Sequence, residues 1–324
     1  MTALFASIGE VLIDFTPVVE DGRAVGFRMH LGGSPCNVAV ALARLGASVE
    51  FVAKASTDLF GNFMIDQLHR EGVGVRWLTR ARAPSTLAFV VLEGKEPSYA
   101  FYGTGAADTL LEPADLPAQV ATSTVLHFGS ISLLQNPTSR TIIGLVEKLR
   151  GQVLLSFDPN IRLSLVRDEP AYRRTLEQMC AAADIVKMSA TDARWWAPER
   201  ALPELAADIL ALGPALVVIT QGADGSYART ARVQAQAPAP VVRVVDTVGA
   251  GDAFTAAMLS TLIEHRVTSR AIAETLDARG LQATIAVATA AGALTCTRAG
   301  ADPPRREELD AFLARERESG RVSS

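Results

Sequence analysis

The chain has 324 residues, of which 49% are hydrophobic and 20% charged, so it can bury a sizeable core and is unlike a disordered protein. Its formal net charge of −4 argues against a nucleic-acid-binding surface, because neutralising phosphates requires clustered Lys and Arg. The three cysteines and four histidines are scattered, which argues against a disulfide framework and against a zinc site.

The N-terminus, MTALFASIGEVLIDF, carries Glu10 and Asp14 and no basic segment, so it predicts a first strand and not a secretion signal. No stretch reaches the roughly 18 consecutive apolar residues that a membrane span needs. We therefore expect a cytoplasmic protein that binds neither a membrane nor nucleic acid.

Short β-branched runs alternate with helical patterns along most of the chain. The strand candidates are residues 4–9, 49–53, 124–129, 152–158, 184–188 and 215–220. Helices are predicted at residues 36–46, 60–71, 138–150, 170–182, 203–212, 250–265, 268–278, 281–295 and 306–316. The alternation predicts an α/β fold, with a mostly parallel central sheet and helices on both faces. Loops at the carboxyl ends of the strands would then meet along one edge of the sheet.

Two segments replace this alternation with strand–turn–strand patterns. Residues 11–30 turn at Asp21-Gly22, and residues 85–103 turn near Glu93–Pro97. We interpret the two hairpins as a small β-sheet lid; two edge extensions of the main sheet are the alternative. The α/β domain would then comprise residues 1–10, 31–84 and 104–324.

The stretch LGGSPCNVAVALARLGA, residues 31–47, predicts a helix with Ser34 as its N-cap. Asn37 then lies in the first helical turn, beside the backbone of Gly32 and Gly33. These amides and the Asn37 side chain could bind a substrate that carries several hydroxyls. The alternative is a tight turn with Asn37 as a local capping partner.

Asp14 lies between Ile13 and Phe15 in the first hairpin and must point to the opposite face of the strand from both. It is a solvated outward residue or, if the hairpin covers a pocket, an acceptor for two sugar hydroxyls. The local sequence leaves both interpretations open.

The segment DTVGAGDAF, residues 246–254, places three small residues before Asp252 at the start of a predicted helix, namely Gly249, Ala250 and Gly251. Small residues let backbone N–H groups converge, and the helix N-terminus adds partial positive charge, so the loop favours a phosphate or a developing oxyanion. An acid in the first turn also stabilises a helix by roughly 0.3–1 kcal/mol, which is the structural alternative. The small residues favour a general base that deprotonates an attacking hydroxyl.

The common nucleotide-binding motifs do not occur. There is no G-x-x-x-x-G-K-[ST] loop, and HREG at residues 69–72 is not a protein-kinase H-R-D loop. GAGDAF also lacks the third small residue of the dinucleotide-binding fingerprint. Phosphate chemistry on this chain would need another scheme.

The two glycine-rich segments and the two hairpins together resemble the PfkB (ribokinase-type) family of carbohydrate kinases, from GEVLIDF to ALTCTRAGA. The resemblance implies a ribokinase-like α/β domain with a small β lid. It implies ATP as phosphoryl donor and Mg²⁺, held mostly by ATP phosphates and water. In this family Asp252 would be the base, and the amides of Gly249, Ala250 and Gly251 would hold the transferring phosphoryl group.

The resemblance assigns further residues to the sugar, the nucleotide and the ions. The sugar would be held by Asp14, Gly32, Gly33, Asn37 and Phe101. The nucleotide side would comprise Lys187, Thr220, Gly222 and Gly225. Arg162 would contact phosphate, and Asp246 and Val248 match positions near which many members bind a monovalent cation such as K⁺. Asp192 would replace, with a shorter side chain, a Glu that acts on the magnesium–water network.

Among members of the family, the segments GEVLIDFTP, GGSPCNVAVALARLG, HFGSISL and DPNIR are most similar to fructokinases, which implies phosphorylation of D-fructose to fructose 6-phosphate. Gly103 stands where an Arg is often found, so a carboxylate-bearing sugar would lose a bidentate partner. The alternatives are another acceptor, such as 2-keto-3-deoxygluconate, ribose or a nucleoside, and a catalytically silent sugar-binding protein. An exposed lid sheet could also pair with a second copy to form a homodimer.

Overall fold

The structure, a computed structural model, describes residues 3–21, 23–91 and 98–318. In chain order its strands are β1 (Leu4–Ile8), β2 (Leu12–Glu20), β3 (Arg23–Gly32), β4 (Ser48–Ser56), β5 (Leu78–Ala81), β6 (Thr86–Val91), β7 (Ser98–Tyr102), β8 (Val125–Gly129), β9 (Leu154–Asp158), β10 (Ile185–Ser189), β11 (Leu216–Thr220), β12 (Ser226–Arg229) and β13 (Gln234–Ala237). Its α-helices are α1 (Ser34–Arg44), α2 (Leu59–Arg70), α3 (Thr138–Leu149), α4 (Glu169–Ala182), α5 (Ala190–Trp196), α6 (Leu202–Leu212), α7 (Ala250–Glu264), α8 (Arg270–Ala273), α9 (Ala278–Thr295) and α10 (Arg306–Glu318).

Among the described residues, nine strands form the central sheet, in the order β13-β12-β11-β10-β9-β8-β1-β4-β5. The pairs from β11 to β5 are parallel, whereas β12 and β13, at one edge, run antiparallel to their neighbours. This confirms the predicted mostly parallel sheet. The carboxyl ends of β1, β8, β9, β10 and β11 therefore open onto one edge, as parallel order requires.

Side chains alternate along the strands between two hydrophobic cores, one on each face of the sheet. Leu216 and Val218 of β11 enter the core beneath α1, α2, α7, α9 and α10, whereas Val217 and Ile219 enter the core beneath α3 to α6. Helices thus cover both faces, as predicted. None of the helices in the described part of the chain is long and apolar enough to cross a membrane.

Two of the helix predictions need correction. The helix expected at residues 268–278 is only one short turn, α8, because the Asp277 side chain accepts a hydrogen bond from the Gly280 amide and begins α9. Ser34 is not an N-cap but the first residue of α1; the cap is Gly33, whose φ of 101° makes the turn that precedes the helix. The Ser34 hydroxyl is therefore left for another partner.

The two predicted hairpins form a separate four-stranded sheet in the order β3-β2-β6-β7. β2 is antiparallel to β3 and parallel to β6, and β6 is antiparallel to β7. The described strands of this small sheet do not pair with the central sheet, so the alternative of edge extensions is wrong. Asp21 lies at the first turn with a φ of 48°, whereas Gly22 and the turn at 93–97 lie outside the described residues.

Aromatic rings attach this small sheet to the rest of the molecule. Phe15 of β2 stacks on Phe89 of β6 with ring centroids 4.7 Å apart, and it contacts Phe60 of α2 edge-on at 5.9 Å. Phe27 of β3 meets both sheet rings edge-on and is half exposed. One face of the small sheet therefore rests on α2 while apolar side chains at its far end face solvent.

Candidate active site

Asp252 lies in the first turn of α7, where the loop before the helix needs glycine. The N-cap, Gly249, has a left-handed backbone with φ 76°, and a Cβ there would lie 2.8 Å from the Cα of Ala301. A Cβ on Gly251 would lie 3.0 Å from Nζ of Lys187. The small residues thus permit the left-handed helix start and let a lysine ammonium approach the first turn of the helix.

Both carboxylate oxygens of Asp252 are held by the first turn of α1. The Ser34 hydroxyl donates to Oδ1 at 2.7 Å, and Nδ2 of Asn37 donates to Oδ2 at 2.9 Å. The residue is only 8% exposed. The two glycine-rich segments of the sequence therefore meet at the Asp252 carboxylate. An acid that only stabilised the N-terminus of α7 would not need these two contacts.

Burial raises the pKa of Asp252 to about 6, although the hydrogen bonds from Ser34 and Asn37 and the charge of Lys187 each act to lower it. A carboxylate with this pKa is ionised near pH 7.5, yet it has a greater proton affinity than an exposed Asp. That combination suits a general base, whose best pKa lies near the pH at which it operates.

A buried ion pair stands beside the start of α7. Nζ of Lys187 in β10 lies 2.8 Å from Oδ2 of Asp158 at the end of β9. Burial alone would lower the pKa of Lys187, but the Asp158 carboxylate outweighs this and the pKa is raised, so the ammonium stays charged. Asp158 was not among the predicted site residues; its position, directly after a buried strand, is the signal that could have identified it.

Asp14 faces the site and not the solvent, so the outward alternative does not hold. A Cβ on Gly32 would lie 2.2 Å from Oδ2 of Asp14, which shows how closely this carboxylate crosses the glycine. Burial, and then the neighbouring Asp252 carboxylate, raise the pKa of Asp14 to about 7, while the charge of Arg162 acts to lower it. The structure thus brings Asp14, Gly32, Asp252 and Arg162 together.

Arg162 follows β9 and is partly exposed. Its Nη1 donates to the backbone carbonyls of Asn160 at 3.4 Å and Ile161 at 3.2 Å. These contacts turn the guanidinium back over its own loop, within electrostatic reach of Asp14. A cation so placed can contact an anionic ligand at the strand ends.

Asp192 connects two loops at this edge. Its Oδ1 accepts the Ile161 amide at 3.1 Å, and its Oδ2 accepts the Ser189 amide at 3.1 Å and the Ser189 hydroxyl at 2.7 Å. The carboxylate therefore fastens the start of α5 to the loop that carries Arg162. Its role toward a metal stays a prediction.

Asp246 holds the loop before α7 in place. Its Oδ1 accepts the Val248 amide at 3.1 Å, and its Oδ2 accepts the Gly300 amide at 2.8 Å. Among the described residues no group of three or more His, Cys, Asp or Glu side chains could hold a metal ion. A K⁺ site at Asp246 and Val248 stays a prediction.

The predicted nucleotide-side residues of β11 lie at the same sheet edge as Lys187. Thr220 ends β11 and pairs in register with Ser189. Gly222 and Gly225 follow with φ angles of 60° and 92°, and a Cβ on Gly225 would lie 1.9 Å from the carbonyl oxygen of Ala237. Within the described ranges no hydrogen bond links these three residues to Asp252, and their role toward a nucleotide stays a prediction.

A cavity of about 120 Å³ opens beside Phe101, and residues lining it include Glu10, Thr86, Phe101, Gly103, Asp108 and Ser132. The Thr86 hydroxyl donates to Oδ1 of Asp108 at 2.6 Å. A Cβ on Gly103 would lie 2.8 Å from the Thr86 hydroxyl oxygen, so the missing side chain at Gly103 makes room for this pair. Burial raises the pKa of Asp108 to about 7. Sequence reasoning missed Asp108, an isolated acid in a run of small and apolar residues.

A buried carboxylate at a helix start, a lysine beside it and a small sheet over the strand ends define a phosphoryl-transfer enzyme of ribokinase-like fold. The profile of the pfkB family carbohydrate kinase matches residues 2–308, and the chain belongs to this family. The predicted family and enzyme class are thereby confirmed.

The chain is similar along its whole length to proteins named fructokinase. It is 35% identical to a fructokinase of Rhizobium leguminosarum bv. trifolii over 312 residues, which cover 96% of this chain and 90% of that protein. The crystal structure of fructokinase with bound ATP from Xylella fastidiosa matches with a TM-score of 0.90 at 29% identity, covering 98% of this chain and 100% of that one. A fructokinase double mutant of Vibrio cholerae O395, in a form with fructose, ADP and potassium ion bound, matches with a TM-score of 0.81 at 28% identity, covering 97% and 98% of the two chains.

Proposed function

We propose that this carbohydrate kinase transfers the γ-phosphoryl group of ATP to the primary hydroxyl of D-fructose, forming fructose 6-phosphate. The observation that carries the proposal is the Asp252 carboxylate, buried at the start of α7 and held by Ser34 and Asn37. The similarity to fructokinases over nearly the whole chain supports the choice of sugar.

Asp252 would accept the proton of the attacking hydroxyl, while the amides of Gly249, Ala250 and Gly251 hold the transferring group. The Ala250 amide, which donates to the Thr247 carbonyl oxygen at 3.3 Å, would have to exchange that bond for one to the phosphoryl group. The partial positive charge of the α7 N-terminus and the ammonium of Lys187 favour the negative charge that spreads over the phosphoryl oxygens. Mg²⁺, bound mainly through ATP phosphates and water, would supply further charge neutralisation. Arg162 would contact phosphate from the loop after β9.

The sugar would lie between Asp14, Gly32 and Gly33 on one side and the cavity beside Phe101 on the other. Asp14 is suited to this role because its carboxylate lies over Gly32 and close to Asp252. Asn37 has its Nδ2 engaged with Asp252. We therefore propose that Asn37 acts mainly on the base, with its oxygen left for a sugar hydroxyl.

Thr220, Gly222 and Gly225 would border the nucleotide, and Asp246 and Val248 the K⁺ ion. The potassium-bound fructokinase of Vibrio cholerae supports testing K⁺ first. Asp192 would act on the magnesium site only indirectly, since three donors of the protein already occupy its carboxylate.

Residues 11–30 and 85–103 would form a lid on the α/β domain, and the lid would also form a homodimer interface. The apolar side chains exposed on its strands β2, β3 and β7 support this: Val18, Val19, Val25, Phe27, Met29 and Tyr102.

Free cysteines, at least two of them buried, support a cytoplasmic location, because reducing compartments keep thiols reduced. The net charge of −4 supports small molecules, and not nucleic acid, as partners.

The proposal is tested by ADP release with ATP and Mg²⁺ across fructose, glucose, tagatose, ribose, 2-keto-3-deoxygluconate and nucleosides. Fructose should give the highest kcat/KM, with the product identified as fructose 6-phosphate by NMR. Preference for ribose, the sugar acid or a nucleoside would overturn the choice of fructose but not the kinase. Failure of every acceptor to stimulate ADP release would favour a silent sugar-binding protein.

A further inference from the structure

Ser34 is joined to the base on one side and to a buried glutamate on the other. Its hydroxyl donates to Oδ1 of Asp252 at 2.7 Å, and its backbone amide donates to Oε1 of Glu10 at 3.0 Å. Because Ser34 is the first residue of α1 and not its cap, its hydroxyl has no role in closing its own helix. Its contact with Asp252 therefore needs a different explanation.

Glu10 cannot move independently of its surroundings. Its Oε2 accepts the Ser132 amide at 3.2 Å and also the Ser132 hydroxyl, and its own amide donates to the Ser132 oxygen at 2.9 Å. Gly33 lies so close that a Cβ there would be 2.6 Å from the Glu10 carbonyl oxygen. A Cβ on Gly9 would be 2.4 Å from the Ser132 hydroxyl oxygen. The contacts of Glu10 thus connect three loops, those that follow β1, β3 and β8, and hold the Ser34 amide in place.

Several groups of opposite effect set the pKa of Asp252, and the hydrogen bond from Ser34 is one of them. Burial raises its pKa, Lys187 lowers it and Asp158 raises it, and the carboxyl of Asp14 and the thiol of Cys36 also interact with its charge. A hydrogen bond donated to the ionised form of a carboxylate favours that form. The Ser34 hydroxyl is the first of the groups that oppose the effect of burial on the Asp252 pKa.

We propose that Ser34 is a positioning residue, which fixes the orientation of the Asp252 carboxylate and keeps it ionised at neutral pH, and that Glu10 acts through Ser34 by fixing its backbone. The inference rests on the proposed function, because it assumes that Asp252 is the base. With Oδ1 occupied by Ser34 and Oδ2 by Asn37, the carboxylate cannot rotate without breaking one of the two hydrogen bonds.

The test is the pH dependence of kcat/KM for fructose in Ser34→Ala. The acid limb should move to higher pH by about one unit, because a hydrogen bond to a charged group is worth roughly a factor of ten in its ionisation equilibrium. At the high-pH plateau kcat should fall by about tenfold, because the Asp252 carboxylate is then oriented by one hydrogen bond instead of two. KM should change little. Ser34→Thr, which keeps the hydroxyl, should restore the wild-type limb.

Ser260→Ala is the matched control, since Ser260 lies on α7 and is 6% exposed against 7% for Ser34. Its hydroxyl donates to Oε1 of Glu264 at 3.3 Å and accepts from Nη2 of Arg306 at 3.0 Å. Its acid limb should stay that of the wild type. If Ser34→Ala does not fold, Ser34→Cys decides, because a thiol of similar size is a weak donor and should shift the limb in the same direction. A limb in the Ala or Cys variant that matches the control would overturn the inference.

The part of Glu10 is tested by a double-mutant cycle. Glu10→Gln puts a donor or a weaker acceptor opposite the Ser132 amide and should lower the high-pH plateau of kcat by less than Ser34→Ala does. The plateau is compared because loss of the Glu10 charge, which acts to raise the pKa of Asp14 and Asp108, would itself move the acid limb. If Glu10 acts through Ser34, the double variant should have the same plateau as Ser34→Ala alone. Losses of kcat that multiply in the double variant would overturn the role of Glu10. Asp252→Asn separates the two hypotheses: full activity there would overturn the proposed base, whereas an inactive Asp252→Asn with an unmoved Ser34→Ala limb would overturn only this inference.

Discussion

Two buried carboxyls, one at each end of the proposed sugar site, differ in what surrounds them. Asp252, at the base end, accepts hydrogen bonds on both oxygens and has the ammonium of Lys187 nearby. Asp108, at the cavity end, has the Thr86 hydroxyl on one oxygen. Burial raises the pKa of both, to about 6 for Asp252 and about 7 for Asp108. Burial alone therefore does not set the proton affinity of a carboxyl: the charge of Lys187 acts to lower the pKa of Asp252, whereas the charge of Glu10 acts to raise the pKa of Asp108.

The largest expected effect is loss of the cation at the base end. Lys187→Met should lower the free energy of unfolding by roughly 3–5 kcal/mol, because it leaves Asp158 buried without its partner. At the cavity end, Thr86→Val should cost only about 1–3 kcal/mol, the range for one unsatisfied buried group. Denaturant unfolding of both variants measures the difference, and equal losses would contradict it.

Asp252→Asn is expected to reduce kcat by about 100-fold or more, since an amide cannot take the hydroxyl proton. The fold should be retained, because the side chain keeps its shape and one acceptor oxygen. Steady-state kinetics with fructose, with circular dichroism as the check on folding, tests this. Turnover near that of the wild type would remove Asp252 from the role of base.

Asp108→Asn should act on binding and not on chemistry. We expect KM for fructose to rise by about tenfold, the cost of replacing a charged acceptor for a sugar hydroxyl, with kcat within about twofold of the wild type. The same assay as for Asp252→Asn makes the two ends directly comparable. A fall in kcat with KM unchanged would contradict the expectation that Asp108 contributes to sugar binding and Asp252 to catalysis.

The smallest effect is the pH profile of the unmodified enzyme. With the folded-state pKa of Asp252 raised to about 6, protonation inactivates the base as pH falls, so kcat/KM should be full above about pH 7 and decline below pH 6. For stability the sign is the opposite. The folded chain holds protons on Asp14, Asp108 and Asp252 that the unfolded chain has released, so these three carboxyls stabilise the fold less as pH rises from about 4 to about 7. Urea unfolding of Asp108→Asn should show a weaker pH dependence over that range.

The sequence predicts the repeating strands and helices, because β-branched runs and helical periodicity are local properties of the chain. It also selects Asp252, Asn37 and Asp14 as candidates for the site. It does not reveal that Ser34 and Asn37 donate hydrogen bonds to Asp252, because local sequence patterns do not indicate which distant helix will pack against α7. Ser34 illustrates the limit: its identity fits an N-cap, but the left-handed turn at Gly33 takes that position and releases the hydroxyl to Asp252.

Gly103 and Asp192 are two further residues whose surroundings could not be predicted from the sequence. The missing side chain at Gly103 suggests only an absent Arg, whereas the structure shows a contact with Thr86 that a Cβ would disturb. Asp192 suggests a shortened metal-site acid, whereas its oxygens are taken by the amides of Ile161 and Ser189 and the Ser189 hydroxyl. Both depend on distances between loops, which a linear pattern does not contain.

The hydrogen bond between Ser34 and Asp252 joins residues 218 positions apart, and this separation has a consequence during synthesis. As the ribosome extends the chain from its N-terminus, the strands and helix that would hold the sugar emerge long before α7. Asp252, the proposed base, joins them only when nearly the whole α/β domain can fold, because contacts this distant in sequence form late. A nascent or prematurely terminated chain that ends before α7 lacks Asp252, so under the proposed mechanism the order of translation keeps incomplete chains from phosphorylating sugar.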